Sequence, residues 1–138
     1  MSAYVLIFPQ DLSGYEAEDP TELGPYDDRI EDTLAAYGGR YLRLRRHPIE
    51  VLEGDWQPPL GMGILEFPDM ERARAWYHSP AYAPLLEWRM ARGRFNLVLV
   101  DGMPEGMTSR RTALARVEQA RAERRREREQ PSAGSGTP

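Results

Sequence analysis

Apolar residues recur along the chain in two distinct rhythms, and the switches between them lay out an alternation of strands and helices. "AYVLIF" (3–8) is a short β-rich run that ends at Pro9, which predicts a first strand. The polar, Gly- and Pro-punctuated residues that follow predict a loop over 9–18. Asp19-Pro20 with Glu22 has the form of a helix start, with a cap, a proline in the first position and a carboxylate in the first turn. Pro25 must bend or restart that helix. Beyond it Tyr26, Ile30, Leu34 and Tyr37 share one face, and Gly38-Gly39 supplies the stop.

"RYLRL" (40–44) and "IEVLEG" (49–54) read as two strand segments joined through "RRHP", with Pro48 pointing to an edge or a bend. "LGMGILEF" (60–67) predicts the third strand, which Pro68-Asp69 ends while capping a second helix. Met70, Ala73, Trp76 and Tyr77 fall in the apolar sector of that helix. Ser79-Pro80 interrupts it, "APLLEWRMAR" continues it, Gly93 closes it, and "FNLVLVDG" (95–102) is the last strand. The order is β-α-β-β-α-β, which predicts an α+β, ferredoxin-like protomer with an antiparallel sheet.

Helices on one side of such a sheet normally leave the other side polar, so that the strands alternate. Here they do not. Tyr4, Leu6 and Phe8 oppose Ala3, Val5 and Ile7, and Phe95, Leu97 and Leu99 oppose Val98 and Val100. Two helices cover one face, so the second face calls for a second copy of the chain, and a two-fold homodimer is the expected partner arrangement.

The 138 residues fit one body, 1–102, followed by a charged tail, 103–138. The body holds 10 Arg against 17 acidic residues and the tail 8 Arg against 5, so the balance reverses at that boundary. "SRRTALARVEQARAERRREREQ" predicts a solvated helix and "PSAGSGTP" a disordered end. The tail has no aromatic residue for base stacking and its Arg residues alternate with Glu, which argues against nucleic acid as a partner. With no cysteine and two histidines, disulfides, thiolate catalysis, Cys-ligated metals and a histidine-only metal site are set aside, and no cofactor is expected. No apolar run is long enough for a membrane span and the first residues lack a secretory pattern, so the expected location is cytoplasmic.

"TLAAYGGRYL", "EVLEGDW", "ILEFPDMERARAWYHSPAYAPLLEWR" and "NLVLVDG" resemble the bacterial family known as domain of unknown function 1330, within the dimeric α+β barrel superfamily. The resemblance spans residues 19–102 and centres on a strand ending Glu-Phe-Pro that leads into Ala-Arg-Ala-Trp-Tyr-x-Ser-Pro-x-Tyr. It implies a barrel made by two sheets meeting face to face. The chain departs from the family in a longer 9–18 loop and in "RRHP" at 45–48, where members often carry Arg-Gly-Gly. The wider superfamily includes cofactor-free monooxygenases, isomerases and haem-degrading enzymes beside proteins with no known reaction, so fold alone does not select a chemistry.

Glu66 alternates with Met62 and Ile64, opposite Gly63, Leu65 and Phe67, and is expected to be partly buried. A buried carboxylate needs a cation, such as Arg40 or Arg89, or else a raised pKa of the kind a general acid/base uses. His47 is a second proton-transfer candidate, with Arg45, Arg46 and Arg89 as anion contacts. Trp76 and Tyr77 are either cleft walls or core, and Ser79 a cap before Pro80 rather than a nucleophile. Trp56 either caps the core edge or closes a cleft mouth, and Gly61 and Gly63 leave one strand face hollow. Three functions remain open: a cofactor-free enzyme acting on a small anionic or aromatic molecule in a cleft between sheet and helices, a ligand-binding or accessory protein without turnover, and a scaffold whose tail recruits a partner.

Overall fold

The computed structural model describes residues 1–16, 25–56, 60–104 and 106–130, and the helix start expected at Asp19 and the end "PSAGSGTP" lie outside them. The chain divides into two compact units, Met1–Gly102 and Met103–Pro138. In the first unit the elements run β1 (Ala3–Asp11), α1 (Ser13–Glu16), α2 (Pro25–Ala35), β2 (Arg40–Arg43), β3 (Gly63–Phe67), α3 (Met70–Tyr77), α4 (Ala83–Arg92) and β4 (Arg94–Asp101). The second unit contains α5 (Arg110–Glu129), on which Leu114 and Val117 are exposed. Among the described residues no helix is long and apolar enough to cross a membrane.

The four strands form an antiparallel sheet in the order β2-β3-β1-β4. With α1 and α2 counted as one helical connection and α3 and α4 as another, this is the ferredoxin-like β-α-β-β-α-β fold. β1 runs three residues beyond its expected end, through Pro9. A proline is tolerated there because β3 pairs only as far as Ile7, so past that point β1 has β4 alone as a neighbour and its other edge has no ladder hydrogen bond to lose.

The predicted strand at 49–54 is absent. Pro48 has no N–H to give a ladder, and the Arg43 guanidinium takes the carbonyl oxygens of Leu44 (3.1 Å), His47 (2.8 Å) and Pro48 (3.1 Å), which turns the chain away from the sheet. Residues 48–56 instead form an arm outside any strand. The chain rejoins the sheet at Gly61, whose φ of +80° and close approach to the Arg45 carbonyl leave no room for a β-carbon.

Register assigns each strand residue to a face. Ala3, Val5, Leu65 and Phe67 point toward the helices and are buried. Ile30 and Leu34 of α2, Ala73 and Trp76 of α3, and Tyr82 and Leu85 at α4 complete that core. Gly63 also lies on this face, where an added β-carbon would make only ordinary contacts with Ile7 and Arg43, so the hollow expected there is slight. Tyr4, Leu6, Phe8, Ile64 and Val100 lie on the outer face and are half-buried, while Val98 is 45% exposed.

α3 begins where the sequence places it. The Asp69 side chain accepts the Arg72 backbone N–H at 2.7 Å, meeting one of the unpaired donors of the first turn. It stops after Tyr77 because Ser79 precedes a proline and is held otherwise: its hydroxyl donates to the Trp76 carbonyl (2.7 Å) and accepts from the Tyr82 N–H (3.2 Å). Ser79 is 3% exposed and serves as the corner of the α3–α4 turn. Asp69→Ala is expected to lower stability by about 1 kcal/mol through loss of the cap; urea unfolding followed by circular dichroism measures it.

Candidate functional site

The alternation that builds the sheet also separates the residues expected to act together. Glu66 sits between Leu65 and Phe67, both fully buried beneath the helices, so its side chain must leave the sheet on the outer face. Its Oε1 receives Arg40 Nη2 at 2.7 Å and Arg40 Nε at 2.8 Å, across the β2–β3 pair in which these two residues are directly opposed. The Glu66 side chain is 21% exposed and that of Arg40 66%. This is a half-solvated, charge-assisted pair, with Arg40 rather than Arg89 as the partner.

Trp76 lies on the other side of the sheet and has no exposed surface. Its ring packs 4.2 Å from Tyr82 and 5.5 Å from Phe67, centroid to centroid, and its indole N–H donates to Thr33 Oγ1 at 2.9 Å. The expectation that Trp76 walls a ligand cleft is therefore corrected: the side chain is core, and its one polar group is satisfied inside. A cleft between sheet and helices holding Glu66 together with Trp76 is ruled out by the same parity.

Tyr77 and Arg89 border one groove. α3 carries Tyr77 at its C-terminal end and α4 carries Arg89 on its buried side, and both face the first half of β4. The Arg89 guanidinium lies over the Phe95 ring with its Cζ 4.7 Å from the centroid, a cation–π arrangement in which only 5% of the residue is exposed. Together with Met90, Arg94, Asn96 and Val98 they border an open groove of about 700 Å³ that runs along the free edge of β4.

Arg45 and His47 belong elsewhere. They occupy the turn after β2, where Arg45 donates to the Leu60 carbonyl at 3.3 Å and His47 is exposed. β2 and β4 are opposite edges with β3 and β1 between them, about 14 Å apart at roughly 4.8 Å per strand spacing. Within one chain, then, the predicted set falls into four places: Trp76 in the core, Glu66 on the outer face, Tyr77 and Arg89 at the β4 groove, Arg45 and His47 beyond β2. Trp56, 64% exposed, rests edge-on against Phe8 at 6.0 Å and marks the rim of the outer face.

Arg94 and Asn96 escaped the sequence reading. Their signal is present, because they are the polar members of an otherwise apolar "RFNLVLV" and thus the two positions where that strand breaks its pattern. Arg94 also pairs with Asp11 across the β1–β4 ladder. The Asp11 carboxyl is held below the ordinary carboxylate range, first by the Ser13 backbone N–H (2.9 Å), then by the Ser13 hydroxyl (2.7 Å), with the Arg94 charge adding a smaller attraction.

A family model for a domain of unknown function, DUF1330, matches residues 12–103. The chain belongs to this family. Among solved structures, a protein of unknown function from Rhodopseudomonas palustris is similar to this DUF1330 protein in fold. The two share 15% identity over 75% of this chain and 83% of the other, with a TM-score of 0.50. A cofactor-independent oxygenase from Streptomyces nogalater aligns at 15% identity over 76% of this chain and 95% of the other, with a TM-score of 0.41. A dimeric ferredoxin-like protein of unknown function from a Jannaschia species aligns at 16% identity over 74% and 100%, with a TM-score of 0.40. A search of curated proteins finds no significant match.

The two sides of the sheet should respond differently to substitution. Trp76→Ala is expected to cost about 3–5 kcal/mol, as for other large core aromatics, whereas Arg40→Ala should cost no more than about 1 kcal/mol because its pair is half in water; thermal unfolding of both variants tests the contrast. Because the Asp11 pKa is depressed in the folded state, the stability it contributes is present above the ordinary carboxylate range and is lost as pH falls through the lowered value. Asp11→Asn should remove that part of the acid-side dependence, read by comparing melting temperatures between about pH 5 and pH 2.

Proposed function

We propose that this DUF1330 protein is a homodimeric, ligand-binding member of the α+β barrel class, with each chain taking up a small organic anion in the groove along β4. The observation that carries the binding reading is the helix side of that groove, where the Arg89 guanidinium lies over the Phe95 ring with Tyr77 also in the lining; Arg94 and Asn96 border it from the strand edge, their register placing them with the outer face. Cations with a fixed donor geometry beside aromatic walls suit a carboxylate or phosphate carried on a flat or apolar body. Support for the dimer comes from the outer face, where Tyr4, Leu6, Phe8, Ile64, Val98 and Val100 form an apolar surface that a two-fold partner would cover.

A second reading, a cofactor-free enzyme in which Glu66 moves a proton, draws on one observation. Glu66 lies on the face that two joined sheets would enclose, where loss of solvent would bear on its carboxylate. Against it stands the Arg40 guanidinium, which already occupies one oxygen of that carboxylate with two hydrogen bonds. Binding is favoured because it makes no demand on that carboxylate.

Native mass spectrometry of the purified protein is expected to find twice the chain mass together with a bound organic anion. Arg89→Gln should lower occupancy at least tenfold, and Glu66→Gln should leave it unchanged. Loss of the ligand in Glu66→Gln with retention in Arg89→Gln would move the site to the outer face and favour the enzymatic reading. Val98→Glu, which would place a carboxylate in the joined faces, should weaken the dimer at least tenfold by light scattering.

A further inference from the structure

The motif at 66–80 gives most of its polar atoms to the fold. Glu66 holds Arg40, Asp69 caps α3, the Trp76 N–H donates to Thr33 Oγ1, and the Ser79 hydroxyl turns the chain into α4. The Arg74 and His78 side chains are exposed and open to water. Tyr77 is different. It is half-buried, and its hydroxyl makes no hydrogen bond to any other described residue.

Three rings fix its position. Trp76 and Tyr82 lie 6.4 Å and 5.9 Å from the Tyr77 ring on the core side, and His78 meets it edge to face at 5.1 Å and 88°. Trp76 and Tyr82 have no exposed surface, so the part of Tyr77 that stays uncovered is the part that borders the β4 groove. A hydroxyl so placed finds its partner in the groove, either in water or in a bound molecule. A ligand that displaces the water without replacing its hydrogen bond loses affinity, whereas one that carries an oxygen to the same place keeps it.

The helix side of the groove thus has two polar points, the Tyr77 hydroxyl and the Arg89 guanidinium seated on Phe95, with Leu97 and Met90 as apolar lining. Both are held before any ligand arrives, Tyr77 by its ring contacts and Arg89 by burial over Phe95, so binding orders little that is not already ordered. A guanidinium selects a carboxylate, a neutral hydroxyl selects a hydroxyl, and ring walls select a flat body.

We infer that Tyr77 sets the specificity of the groove, and that the ligand is an aromatic carboxylic acid bearing a ring hydroxyl, its carboxylate meeting Arg89 and its hydroxyl sharing a hydrogen bond with Tyr77. This rests on the groove reading proposed above and adds to it the ligand class and the residue that reads it. A phenolic hydroxyl both donates and accepts, so the pair forms with either group as donor.

Calorimetric titration of the full chain with benzoate, the ortho, meta and para hydroxybenzoates, phenol and inorganic phosphate tests the inference. At least one hydroxybenzoate is expected to bind about fivefold or more tightly than benzoate, the gain of one net hydrogen bond, with phenol and phosphate weaker than it. In Tyr77→Phe, which keeps the ring among Trp76, Tyr82 and His78, that ratio should fall to about one. Arg89→Gln should weaken benzoate and the hydroxybenzoates alike. Equal affinity for benzoate and all three hydroxybenzoates overturns the inference, as does a preference that survives in Tyr77→Phe, and both leave the groove reading standing if Arg89→Gln weakens the acids. Acid binding that Arg89→Gln does not touch removes the inference and the groove together. If none of the acids binds, the inference falls alone, and the anion carried through purification decides the groove.

Discussion

Successive residues of a strand face opposite ways, and in this chain both directions are apolar. That constraint organises the molecule. The helices can lie against only one side of a sheet, and α2, α3 and α4 spend their apolar sectors on Ala3, Val5, Leu65 and Phe67. Tyr4, Leu6, Phe8, Ile64 and Val98 are left facing outward, and the free edges of β2 and β4 are left unpaired within the sheet. Both deficits are of a kind that a second copy can meet, the first by covering apolar surface and the second by supplying backbone partners.

The same two-residue period decides what chemistry the body can assemble. A one-residue step from Leu65 to Glu66 moves a side chain from the ring-packed core around Trp76 to the opposite side of the sheet, where Arg40 meets it. The long motif at residues 66–80 is thus a device of the fold. Asp69 caps α3, Trp76 fills the core while its N–H bonds to Thr33, and Ser79 turns the chain into α4. A carboxylate, a tryptophan and a serine within fourteen positions look like an active site in one dimension and serve three separate structural purposes in three.

Punctuation made most elements legible: Pro25 starts α2, Gly38 with φ of +71° ends its turn, Asp69 opens α3 and Gly93 closes α4. Two strand boundaries were not legible, for reasons that lie outside the local pattern. "IEVLEG" has the residues of a strand but meets no partner, because Arg43 draws the preceding carbonyls into a turn. Pro9 reads as a strand end but sits where β1 has already outrun β3. In both cases pairing, which is a property of two segments, overrode what either segment prefers alone.

By itself the sequence determined the element order, the fold class, the greasy character of both sheet faces and the family, because these depend on periodicity and on a contiguous motif. Which candidate residues stand together was decided only by tertiary structure. Strand order sets β2 and β4 at opposite edges, and so parts Arg45 and His47 from Tyr77 and Arg89; parity parts Glu66 from Trp76; and the packing of α4 on β4 brings Arg89 over Phe95. The physical reason is that a side chain's rhythm in the chain records which way it points, whereas its neighbours across a sheet are set by hydrogen-bonded pairing between segments distant in sequence.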